Sequence, residues 1–136
     1  MIELTNSAAQ TVQPGAAVTF NTVLKHTGNA ECFNPRIPTS VKMTGQNGLY
    51  RVEFSGNISG TAADTPVQLA IAQGPVALPE TVMVSTPSVA DAYNNVSTST
   101  YVANDCCDFE RIMVVNTGTV PVNLSANMKL AIMRVG

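Results

Sequence analysis

Apolar and polar residues alternate along much of this chain. The alternation is strongest from Gly48 to Ser59, G-L-Y-R-V-E-F-S-G-N-I-S. Tyr50, Val52, Phe54 and Ile58 fall on one side; Arg51, Glu53, Ser55 and Asn57 fall on the other. Successive side chains of a strand point to opposite faces, so this pattern predicts a half-buried strand. Gln46-Asn47-Gly48 before it reads as a turn, because Asn and Gly tolerate positive φ. Pro66 to Gln73 predicts a second strand, with Val67, Leu69 and Ile71 inward and the small Ala70 and Ala72 on its other side. Thr81 to Ser85, Val96 to Ala103, Val120 to Ser125, Ala17 to Leu24 and Thr39 to Met43 add shorter Val- and Thr-rich runs, β-branched and favoured in strands.

Two further strands are apolar on both faces. In Phe109 to Val115, Ile112 and Val114 oppose Met113 and Val115; in Met128 to Val135, Leu130 and Ile132 oppose Ala131 and Met133. A sandwich needs only one apolar face per sheet, so the second face predicts a cover. That cover is either a partner chain or loops such as Pro75 to Pro79 folded across it. The count of eight to ten strands, with turn signals between them, is that of an antiparallel sandwich or barrel. The expected core contains Tyr50, Val52, Phe54, Leu69, Ile71, Leu130 and Ile132. Ser88 to Tyr93 is the one stretch read as a single helical turn.

Length and composition narrow the picture. The 136 residues suit one domain, 45% hydrophobic and only 12% charged. The seven Lys and Arg stand singly in a chain of net charge −2, which argues against nucleic acid and anionic membrane as partners. Apolar runs of about five residues fall short of the roughly 20 a spanning helix needs. The opening M-I-E-L-T-N-S has neither the basic nor the apolar region of a secretory signal. Met1 to Pro14 is short and polar and is expected to be an arm, with Ile2 and Leu4 as its apolar anchoring contacts and the sandwich domain running from Gly15 to Gly136.

Three stretches carry a resemblance: T-V-Q-P-G-A-A-V-T-F at Thr11 to Phe20, G-L-Y-R-V-E-F at Gly48 to Phe54, and A-N-M-K-L-A-I-M-R-V at Ala126 to Val135. Together they resemble the jelly roll shared by tumour necrosis factor and the complement globular head, and most of all its small phage and bacterial spore-surface versions. The resemblance implies a TNF-like, all-β, two-sheet jelly roll that assembles as a homotrimer on the outside of a particle, with its two chain ends close together. No Gly-X-Y stalk is present, which favours a compact decoration or tip. A closed symmetric oligomer would also cover the second apolar faces, making Met113, Val115, Ala131 and Met133 the expected trimer contacts.

Candidate chemistry is sparse. The cysteines are Cys32, Cys106 and Cys107, an odd number, so they cannot all pair within the chain. Free thiols and a bridge from Cys32 to Cys106 or Cys107 are both compatible with the pattern. Zinc held by these thiolates and His26 is chemically sensible, but vicinal cysteines lack the usual metal-ligand spacing. Asp105, Asp108 and Glu110 form an acidic stretch of a kind that can bind Ca²⁺, yet without the loop signature of such a site. His26 is the single histidine, and no G-x-S-x-G elbow accompanies it. Asn57, Asn95 and Asn123 head Asn-x-Ser triplets that carry no meaning without a secretory context. Tyr93 and Tyr101 are the only loop-side aromatics for stacking a sugar. The expectation is therefore a non-enzymatic structural protein without cofactor: a homotrimer on a virion surface that decorates a phage capsid or tips a head fibre. Its partners would be the major capsid or another virion protein, and a host surface glycan. The alternative is a receptor- or glycan-binding head of a bacterial or spore surface protein.

Overall fold

The computed structural model describes residues 1–104 and 110–136. Thirteen strand segments follow in order: β1 (Ile2–Thr5), β2 (Gln10–Val12), β3 (Thr22–His26), β4 (Glu31–Phe33), β5 (Val41–Met43), β6 (Gly48–Ser59), β7 (Val67–Gln73), β8 (Val76–Ala77), β9 (Met83–Ser85), β10 (Asn94–Asn104), β11 (Arg111–Val115), β12 (Val122–Leu124) and β13 (Lys129–Arg134). One 3₁₀ turn, Pro79–Thr81, separates β8 from β9, and residues 88–93 form bends and turns rather than the expected helical turn.

All pairings are antiparallel and build two sheets. The first has the order β2-β12-β6-β13-β1-β3, with β10 along the other edge of β6. The second runs β4-β5-β11-β7-β8, with β9 also on β7. The twelve-residue β6 organises the first sheet, its even positions buried and its odd positions outward from Leu49 to Asn57, as its sequence alternation dictates, with Ser59 buried at its end. The turn before it places Asn47 at φ 51, the left-handed region that Asn enters at little cost.

The two sheets face each other across an apolar core. Tyr50, Val52, Phe54, Leu130 and Ile132 of the first meet Leu69, Ile71, Ile112 and Val114 of the second, all of them buried. Every core residue expected from the sequence is there. Tyr50 also brings a hydroxyl into this layer, which donates to the Ala30 carbonyl at 2.7 Å and accepts from the Gly45 N–H at 2.9 Å. Tyr50→Phe should cost about 1–3 kcal/mol, because it strands both backbone partners; the shift in the urea unfolding midpoint measures it.

The N-terminal expectation fails. Residues 1–14 are not an arm outside the sandwich: β1 lies between β13 and β3, and β2 pairs with β12. Ile2 and Leu4 are 1% and 0% exposed and belong to the core, so neither is available as an anchor. The physical reason is register. Ile2 opposite Ile132 and Leu4 opposite Leu130 continue the inward rows of β13. The same pairing brings the two chain ends to one end of the sandwich, beside Gly48 and Asn104.

Ala17 to Leu24 also differs from its expectation. Ala17 bridges Val115 and Val18 donates to the Val114 carbonyl, both in the second sheet. The chain then crosses to β3 in the first. Val18 and Phe20 are buried on the way, which accounts for the apolar pattern without a continuous strand.

Candidate interaction surface

The outward positions of the first sheet form a broad face. Leu49, Arg51, Glu53 and Ser55 come from β6, with Ser97, Ser99 and Tyr101 beside them on β10. Lys129, Ala131 and Met133 come from β13, and Glu3 and Lys25 continue the rows across β1 and β3. Small hydroxyl side chains leave a shallow depression of about 470 Å³ between Glu53, Ser55, Ser97, Ser99 and Lys129.

The carboxylates on this face are each paired with cations. Glu3 lies 4.0 Å from Lys25 Nζ and 3.8 Å from Lys129 Nζ. Arg51 Nε donates to Glu53 Oε1 at 2.7 Å, and its guanidinium sits 5.9 Å from the centre of the Tyr101 ring. The Glu53 hydrogen bond and charge hold the Arg51 guanidinium above its ordinary range. Below this network Leu49, Tyr101, Met133 and Val135 are large apolar groups left between 40% and 58% exposed.

The four expected trimer contacts divide between opposite faces. Ala131, partly buried, and Met133, 41% exposed, lie on the face just described. Met113 and Val115 lie on the outward side of the second sheet, half-buried. There they line a groove of about 530 Å³ with Ala17, Ala72, Pro75 and Ala77. The Pro75–Ala77 segment borders this groove as β8, paired with β7 within the second sheet, rather than folding across the apolar side of β11 as a loop cover would.

Other sequence candidates disperse. Cys32 is exposed on β4, opposite Lys42, while Asp105, Cys106, Cys107 and Asp108 lie outside the described residues. His26 Nε2 is 3.1 Å from the Glu31 carbonyl and joins the edges of the two sheets. Among the described residues, no three His, Cys, Asp or Glu side chains are grouped as metal ligands would be. Tyr93 and Tyr101 are eight residues apart along one strand direction, about 25 Å, so one sugar cannot stack on both. Among the described residues, no helix is long and apolar enough to cross a membrane.

One polar feature escapes sequence reading. Glu31 is 1% exposed, and its carboxylate pairs with the Met1 ammonium, which also donates to the Thr27 carbonyl at 2.7 Å. Nothing in Glu-Cys-Phe marks its acid as buried.

No protein-family model matches this chain, and no curated protein matches it in sequence. Its similarity lies in structure. Murine APRIL at pH 5.0 superimposes with a TM-score of 0.71 at 14% identity, covering 98% of this chain and 97% of that one. The globular domain of zebrafish complement 1qA gives a TM-score of 0.70 at 13% identity, over 99% and 96% of the two chains. The PRD1 vertex protein P5 gives 0.57 at 9% identity, over 99% and 96%. At these identities the likeness is one of fold, and by that fold the chain is an all-β, antiparallel two-sheet jelly roll of the TNF and complement-head type.

Proposed function

We propose that this chain is a non-enzymatic structural module that assembles with copies of itself, as a homotrimer, on the surface of a phage virion, where it decorates the capsid or tips a head fibre. One observation carries the self-association: Leu49, Tyr101, Met133 and Val135 stand together in the open on the outward face of the first sheet. Soluble proteins seldom leave such a group bare, and a closed oligomer covers it. The low charge of the chain and the pairing of Glu3 and Glu53 with cations remove the repulsion that would keep copies apart. The virion setting is favoured by the shared fold of a vertex protein, P5 of PRD1. Its partners there are the major capsid protein or another virion protein, with a host surface glycan as an outward ligand.

The single histidine and the buried glutamate serve the fold. His26 holds the Glu31 carbonyl, and Glu31 holds the Met1 ammonium. Immunogold labelling of native particles with an antibody to this chain tests the assignment. Label at discrete positions on phage heads is the expected result. Label confined to the bacterial or spore surface would replace it with the receptor- or glycan-binding reading.

A further inference from the structure

The buried asparagines of this fold are tied to its backbone. Asn6 Nδ2 donates to the Thr19 carbonyl, Asn104 Nδ2 to the Gly45 carbonyl, and Asn116 Nδ2 to the Val12 and Val120 carbonyls. Asn57, Asn95 and Asn123, which head the three Asn-x-Ser triplets, are placed differently. They come from β6, β10 and β12 and meet at one end of the first sheet. Asn95 lies directly opposite Asn57, and Asn123 lies opposite Ser59, two positions further along β6. Asn123 sits between the buried Val122 and Leu124, so it shares the outward face with the other two. Diagonal neighbours of this kind are about 7–8 Å apart.

These amides keep hydrogen-bonding groups to spare. Asn95 Nδ2 donates to Asn57 Oδ1 at 3.2 Å, and Asn123 Oδ1 accepts from Thr11 Oγ1 at 2.9 Å. An amide carries one acceptor oxygen and two donor hydrogens. Asn57 Nδ2 and Asn123 Nδ2 therefore lack an acceptor, and Asn95 Oδ1 lacks a donor, among the described residues. Ser59 ends the row. It is 0% exposed, and its Oγ has no hydrogen-bond partner among the described residues. An unpaired buried hydroxyl costs free energy that a ligand's polar group would recover. Tyr93 stands two residues before Asn95, within about 7 Å of it along the chain, and is half exposed. Asp91 precedes it, held beside Ser59 by donating its N–H to the Gly60 carbonyl at 2.9 Å.

We infer that this end of the first sheet is a subsite for a neutral saccharide, with Asn57, Asn95 and Asn123 bonding its hydroxyls and Tyr93 packing on its C–H face. The inference rests on the glycan partner proposed above and names its place on the chain. A sugar hydroxyl both donates and accepts, so neighbouring hydroxyls suit a surface that offers unpaired amide N–H and C=O groups side by side. One exposed ring beside a few convergent polar groups is the usual make-up of a small-ligand site. Charge selects a neutral sugar. Lys129, opposite Ser55 and one outward row away, already faces Glu3 at 3.8 Å, and the nearby Asp91 repels an acidic ligand. The next outward pair, Ser55 and Ser97, opens into the shallow depression described above, where a second sugar residue has room. The apolar patch at Leu49 lies eight residues back along β6, roughly 27 Å away, so self-association through that patch uses other residues.

Side-chain amide NMR spectra of the assembled protein test it. The probes are the methyl glycosides of glucose, galactose and mannose, and N-acetylglucosamine, each to about 50 mM, in the range of weak single-sugar binding. At least one is expected to shift the Asn57 and Asn123 side-chain signals saturably, while sialic acid does not. The double variant Asn57→Ala with Asn95→Ala, and separately Tyr93→Ala, should each weaken that sugar about tenfold or more, with circular dichroism and assembly size unchanged. No shift with any neutral sugar, undiminished affinity in both variants, or an equal response to sialic acid would overturn the inference. So would side-chain amides that are shielded from exchange in the assembly and indifferent to every sugar, which would give the row to contact between copies. These results leave the virion assignment standing, because immunogold labelling reads position on the particle and not sugar binding. Label confined to the bacterial or spore surface, with the sugar shifts present, would overturn that assignment and keep the subsite.

Discussion

A chain lacking Met1 to Asn6 is expected not to fold. The deletion removes β1 from the middle of the first sheet, where it pairs with β13 on one side and β3 on the other. β3 is then left without its only partner strand among the described residues. Ile2 and Leu4 leave the core with it, both essentially without solvent exposure. Truncating one such aliphatic side chain costs about 2–5 kcal/mol, against a total stability of about 5–15 kcal/mol for a domain of this kind. Thr5 adds a buried hydroxyl that donates to the Met128 carbonyl, and Asn6 accepts the Asn127 N–H on its own carbonyl at 2.8 Å. Loss of the cooperative thermal transition is the expected readout. A truncated chain that melts as cooperatively as the full one would mean that β1 is dispensable. The single substitution Leu4→Ala gives a graded version, a loss of about 2–5 kcal/mol by urea unfolding.

Met133→Asp is expected to separate the assembled copies. Met133 lies opposite Arg51 on β6, whose guanidinium is already committed to Glu53. The new carboxylate would have to be buried when the copies close over this face, in place of an apolar side chain. A penalty of about 3 kcal/mol corresponds to roughly a hundredfold weaker association. Met113→Asp is the matched control. Met113 lies on the opposite face of the sandwich, in the groove bordered by Pro75 and Ala77. The size of the assembly should survive that change. Sedimentation velocity of the two variants side by side reads the difference, and dissociation by Met113→Asp alone would move the contact to the second sheet.

These two expectations turn on what the sequence could and could not reveal. Strands with strong alternation were legible: β6, β7 and β13 declare their inward residues because period two leaves one assignment of faces. The outward positions of β11 and β13 were legible as a second apolar side. Their placement on opposite faces of the molecule was not, since alternation orders residues within a strand and says nothing about which sheet the strand joins. β1 was missed because Ile-Glu-Leu-Thr is too short and too polar to stand out, and its burial is decided by β13, more than a hundred residues away. Glu31 was missed for a similar reason: its partner is the chain's own amino group, thirty positions upstream. Ala17 to Phe20 carries the apolar spacing of a strand but uses it to cross between sheets, so burial was readable there and pairing was not.

The mass of the unsubstituted protein in solution bears most directly on its proposed role as a self-assembling jelly roll. Light scattering coupled to size exclusion at micromolar concentration should give three times the 14.3 kDa chain mass. A single species at 14.3 kDa, unchanged as concentration rises, would contradict it.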